Sequence, residues 1–293
     1  MRATEVTRQR VALGSTLSGI IAAVAYRRKL ITRSGIAGTI FVGTLVFGYG
    51  GIAGSLVVLF FFVSSSLLSH LSSARKRRVA ADKFSKSATR DLGQVLANGG
   101  VGALAALGYG VHPRHPDWLL GAFVGAFATA TADTWATEVG TLSRATPRLI
   151  ISGRKVAPGT SGGITVAGTS AAMAGALALG LVAGLASHSH GARKLGLRKG
   201  LVAGGMMGGI AGALFDSLLG ATVQQVHFCP HCESETERRI HQCGTVTVPL
   251  RGVDWIDNDM VNLLSTAVGA IVAAGVIVVS ALMVGHQSKI QRP

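Results

Sequence analysis

Apolar runs of about 16 to 27 residues recur eight times along this chain, at 11–26, 34–49, 51–71, 91–109, 117–138, 163–187, 199–225 and 259–285. A helix crosses the hydrocarbon core of a bilayer with about 20 mainly apolar residues, and inside lipid only helices and closed barrels satisfy their backbone groups. The runs are rich in Ala, Gly and Leu and lack the period-two alternation of barrel strands. The expectation is an all-α, polytopic transmembrane helical bundle of about eight spans. It fills residues 1–293 as a single integral membrane domain. Charged residues make up only 14% of the chain, too few to cover a water-soluble fold of this size.

The net charge of +15 does not read as a nucleic-acid surface. The Lys and Arg residues sit in short stretches between the apolar runs, as in cytoplasmic loops. The odd-numbered loops carry more of them, largely through the run Arg75-Lys76-Arg77-Arg78. This puts the odd loops, and any chemistry on them, on the cytoplasmic face. The glycine repeat Gly204, Gly208, Gly212 and Gly220 marks a close-packing helix face, suited to intrachain packing or to a homodimer. No cleavable leader or transit peptide is read at the start, which points to a prokaryotic plasma membrane.

Carboxylates within such runs are costly, so their positions carry information. Asp91, Asp133, Glu138, Asp216 and Asp259 lie within or at the ends of spans, all at ends abutting odd loops. Helical spacing adds Gln94 and Asn98 to Asp91, Thr137 to Asp133, and Asn258 and Asn262 to Asp259. One polar cleft follows, whose hard oxygen donors suit Mg²⁺ together with substrate phosphates. Helix capping is the alternative for Asp91 and Asp259.

Two loop motifs stand beside this cleft. Gly159-Thr160-Ser161-Gly162-Gly163 leads into the sixth span, and Arg154 and Lys155 precede it. Free N–H groups at a helix start, with cations nearby, favour phosphate or nucleotide binding; a flexible turn is the alternative. In the segment 226–258, read as a cytoplasmic loop, Cys229, Cys232, His241 and Cys243 have the spacing of a tetrahedral zinc knuckle, with redox use as the alternative.

Four segments carry a resemblance over nearly the whole chain: Ala132–Gly140, Pro158–Thr165, Phe215–Gly220 and Asn258–Ser265. The chain resembles the integral membrane family that includes the phytyl-phosphate kinase of vitamin E synthesis. That resemblance implies a kinase passing a phosphoryl group from a nucleoside triphosphate, CTP or ATP, to a prenyl monophosphate. It assigns Mg²⁺ to Asp133, Asp216 and Asp259, with Asn258 and Asn262 assisting. Lys155 and the Gly159–Gly163 loop would cradle phosphates, and Glu138 would orient a water or the attacking phosphate. Family members differ most in the last loop, which fits a structural zinc better than a catalytic one. A transporter or flippase of a phosphorylated lipid, and a CTP-dependent lipid nucleotidyltransferase, are the competing readings of the same cleft.

Overall fold

The computed structural model describes residues 2–79, 82–83, 89–187 and 192–290. The side chains of 76–78, most of the expected basic run, lie outside that description. Among the described residues there are eight α-helices: α1 (Arg2–Arg27), α2 (Arg33–Leu45), α3 (Gly51–Val79), α4 (Leu92–Val111), α5 (Asp117–Leu142), α6 (Val166–Ala186), α7 (Ala192–Thr222) and α8 (Asn258–Ile290). Each coincides with one of the apolar runs. Short strands also form, one at the very start of the sixth run and the others in the connections. These are β1 (Arg148–Leu149) paired with β2 (Gly163–Ile164), and the sheet β4 (Ser234–Thr236), β3 (Val226–Cys229), β5 (Val248–Arg251), in that order.

The helix starts are set by local chemistry. Thr32 caps α2 through the amide of Gly35, and Thr165 caps α6 through Gly168. Asp91 and Gln94 form a reciprocal capping box on α4. α8 is capped by Asp257, whose carboxylate accepts from the Met260 amide at 3.0 Å, so Asp259 lies inside the first turn.

Four stretches are long and apolar enough to cross a membrane: Arg33–Ser73, α6, Leu195–Thr222 and Asn258–Met283. The first has 41 residues. A straight helix of that length would extend about 60 Å, twice the hydrocarbon thickness. It folds back instead. A π-helical turn at Val46–Gly50 ends at Gly51, whose φ of +62° only glycine adopts without strain. Exposed Val63, Leu104, Ile271 and Leu282 place apolar side chains on the outer surface, as lipid contact requires.

The helix α5 is the axis of the bundle, with α3, α4, α6, α7 and α8 packed round it. Every residue from Gly121 to Ala132 is buried. Backbone meets backbone there: a methyl at Gly208 would strike the Gly269 carbonyl, and one at Gly209 would strike Ala176 and the Ala128 carbonyl. The Thr129 hydroxyl lies in this seam and donates to the carbonyl of Gly125 at 2.9 Å. The glycine face of α7 is therefore used within the chain.

The connections α1–α2, α3–α4, α5–α6 and α7–α8 gather at one end. The Thr32 amide donates to Arg90, Arg75 to the Ser143 carbonyl, Lys83 to the Glu235 carbonyl, and Ser161 to Glu237. Trp135 packs against Gly175 and donates to Ser64.

Candidate functional site

At that gathered end the helices part around a cavity of about 540 Å³. It is built in layers. From α4 come Gln94 and Asn98; from α5, Asp133, Thr137 and Glu138; from α7, Asp216; from α8, Asn258 and Asn262. The segment Gly159–Gly163 closes over it, with the N-terminus of α6 at Thr165 behind. Deeper in the bundle the lining turns apolar, through Ala172, Met173, Ile210, Ala213 and Leu214. Met173 of α6 and Leu214 of α7, at this apolar end, are 41% and 43% exposed.

Asp216 faces Asp133, the Ser265 hydroxyl and Glu237. Its Oδ2 and the Ser265 Oγ are both sealed from solvent. A sequestered carboxylate oxygen is costly unless a cation or proton donor reaches it. Glu138 is differently placed. It is 5% exposed and accepts from Ser69 at 2.8 Å and from Ser72, which ties α5 to α3.

The Gly-rich segment is rigidly held rather than a loose turn. Gly159 and Gly162 both have φ of +83°. The Gly162 carbonyl accepts from Ile150, and Arg251 reaches the carbonyls of Gly220 and Ser161. Gly162 packs so closely on Ala221 that a side chain would not fit. The start of α6 and this segment together form one wall of the cavity.

Several expected residues stand elsewhere. Arg154 and Lys155 are exposed on the outer side of the β1–β2 hairpin, where Lys155 bridges to Arg148; neither lines the cavity. The cation that does line it is Arg90, which donates to Ser66 at 2.8 Å and lies over the Phe62 ring. Asp91 caps α4 and does not line the cavity, and neither does Asp259. Asp133, Asp216 and Asp259 consequently do not close into one three-carboxylate cage: among the described residues, the acid, thiol and imidazole group compact enough to hold a metal is the Cys/His cluster. Glu237 is a further residue that sequence reasoning missed. It lines the cavity and accepts from Ser161 at 3.2 Å and Gln224 at 2.8 Å.

The ligand atoms of Cys229, Cys232, His241 and Cys243 all lie within 4.8 Å of one another. Cys229 Sγ is 3.7 Å from Cys243 Sγ, which is 3.2 Å from His241 Nδ1. Sulfurs bound at about 2.3 Å to one tetrahedral ion stand close to that separation. The Thr245 hydroxyl and amide, then His241, hold the Cys243 thiol down to about 5. Its bond to Cys243 pushes Cys232 up to about 11.

Fold and site together define a polytopic helical membrane protein with a carboxylate-bearing cavity at one end of its bundle. Residues 16–270 match the family described as Integral membrane protein DUF92, and the chain belongs to that family, which includes phytyl-phosphate kinase. Protein PGR of Arabidopsis thaliana is 34% identical over 268 residues, covering 85% of this chain and 90% of that protein. The membrane protein MJ0933 of Methanocaldococcus jannaschii is 29% identical over 257 residues, 86% of this chain and 88% of its own. The membrane protein sll0875 of Synechocystis is 28% identical over 258 residues, 87% and 86% respectively. No solved structure matches. Relatives in a plant, an archaeon and a cyanobacterium do not select the prokaryotic plasma membrane expected above; integral membrane location is what stands.

Proposed function

We propose that this protein is a membrane-embedded kinase of isoprenoid monophosphates, phytyl phosphate or a related prenyl phosphate, using ATP or CTP. One observation carries the reading: a single cavity joins a polar end, with Asp133, Asp216 and Arg90, to an apolar end lined by Met173, Ile210 and Leu214. A prenyl phosphate has that same division. Membership of a family that includes a phytyl-phosphate kinase supports it.

In this reading a non-bridging oxygen of the prenyl phosphate attacks the γ-phosphorus. The bond from γ-phosphorus to the β–γ bridging oxygen breaks, and the nucleoside diphosphate leaves with the electron pair. The attacking phosphate is already ionised at neutral pH, so no strong base is required. Positioning and charge neutralisation are the main tasks. Arg90 and the Gly159–Gly163 backbone hold phosphates, while the prenyl tail lies along Met173, Ile210 and Leu214. Asp133 and Asp216, with the carboxamides of Asn258 and Asn262, are hard oxygen donors of the kind Mg²⁺ takes alongside phosphates. When bound, Mg²⁺ would neutralise phosphate charge. Thr137, Gln94 and Asn98 contribute further polar lining, and Glu138 acts by fixing α5 against α3.

We assign eight passes to the eight helices, with the cavity end facing the cytoplasm and its nucleotides. The whole chain then forms one membrane domain, and residues 226–258 form a cytoplasmic loop whose knuckle holds Zn²⁺. A flippase would need a polar path continuing through the bundle. The buried small and aromatic stretch of α5 argues against one.

The test is direct. The detergent-purified protein, with Mg²⁺ and phytyl or geranylgeranyl monophosphate, is given ATP, CTP, GTP or UTP separately, and the lipids are read by mass spectrometry. Prenyl diphosphate with nucleoside diphosphate is expected, and Asp133→Asn and Asp216→Asn abolish it. Pyrophosphate release instead would indicate nucleotidyl transfer. No diphosphate from any nucleotide, with folded protein, would end the kinase reading.

A further inference from the structure

The knuckle does not only close its own loop. Its β4 edge is joined to the α3–α4 connection at Asp82 and Lys83. Ser234 Oγ donates to Asp82 Oδ2 at 3.1 Å, Thr236 Oγ1 donates to the Asp82 carbonyl, and the Glu237 amide donates to the Lys83 carbonyl at 2.8 Å. Lys83 Nζ returns to the Glu235 carbonyl at 2.9 Å.

These contacts set Asp82 behind the cluster. His241 turns Nδ1 toward Cys243, while its other nitrogen, Nε2, is buried and stands 3.8 Å from Asp82 Oδ2. A metal-bound imidazole commonly donates its second N–H to a carboxylate, which fixes the tautomer and strengthens the ligand. The same strand then runs directly into Glu237, which enters the cavity and holds Ser161 and Gln224.

We infer that the knuckle is a metal-dependent clasp on the cavity: a bound zinc ion, with Asp82 as the outer carboxylate of His241, fixes Glu237 and through it the Gly159–Gly163 segment. This rests on the zinc reading of the knuckle and not on phosphoryl transfer. Asp82 and Glu237 are positioning residues in this scheme.

The experiment uses the full chain in detergent. Zinc content is measured by elemental mass spectrometry, affinity by chelator competition, and backbone order by hydrogen exchange. Wild type is expected to hold one zinc. Stripping it should accelerate exchange in residues 226–251 and also in 158–163. Asp82→Ala should weaken zinc by about 10- to 100-fold, the usual effect of losing such an outer partner. Asp82→Asn, which keeps size and can still accept from Ser234, guards against misfolding as the cause and should fall between. Glu237→Ala should bind zinc normally while exchange at 158–163 no longer responds to the metal. A wild type without zinc would overturn both the zinc reading and the clasp. Zinc bound, but with Asp82→Ala at wild-type affinity or 158–163 indifferent to the metal, would overturn the clasp alone.

Discussion

Side chains of the same charge have opposite fates in this chain. Arg90 lines the cavity beside Glu138 and Ser66, whereas Lys155 stands on the outer hairpin. Arg90→Lys should therefore cost prenyl-phosphate turnover about 10-fold or more, since a forked, planar donor set is replaced by a point charge. Lys155→Ala should stay within about twofold, as exposed substitutions do. Parallel kinetics of the two variants decide this, and equal losses would remove Arg90 from the site. Much of the site was legible from sequence, because a carboxylate within an apolar helix must face the bundle interior: Asp133 and Asp216 were found that way. Asp91 and Asp259 obeyed the same rule on paper, but Asp91 is taken up in capping α4, and Asp259 follows the cavity-lining Asn258 without lining the cavity itself. Arg90 was hidden among loop cations that orient the protein. Glu237 was hidden in an acidic stretch with Glu233 and Glu235 that reads as solvated, and only the docking of β4 turns it inward.

At the scale of the element, the interface of α5, α7 and α8 depends on absent side chains. A methyl at Gly212 would overlap Thr129, and one at Gly269 would overlap the same hydroxyl. Gly212→Ala and Gly269→Ala should each destabilise the bundle by about 1–3 kcal/mol, the usual cost of overpacking. Gly275→Ala, in the same helix as Gly269 but with open space round it, should be neutral or stabilise by about 0.5–1 kcal/mol. Thermal unfolding in detergent separates them, and a loss at Gly275 matching that at Gly269 would refute the packing argument. The helices themselves were legible from run length and composition. The loop strands were not, because two to four residues carry too little pattern to register as strands before the connections dock.

For the whole molecule, the apolar end of the cavity, lined by Met173 of α6 and Leu214 of α7, makes a claim about tail length. Met173→Trp should reduce turnover of a C20 prenyl phosphate more than that of a C5 analogue, several-fold in the ratio of kcat/KM. An unchanged ratio would place the tail elsewhere. The alternation of helices, and the gathering of four connections at one end, followed from counting runs and basic loops. The central position of α5 did not, since nothing in its own residues says which helix the others surround. That position bears on how the protein is made. α5 is not among the stretches apolar enough to cross alone, yet it emerges from the ribosome before α6, α7 and α8, whose surfaces cover its polar groups. Lipid offers those groups no partner. α8 packs on α5 as α6 and α7 do, so α5 has its full cover only once all three are in place.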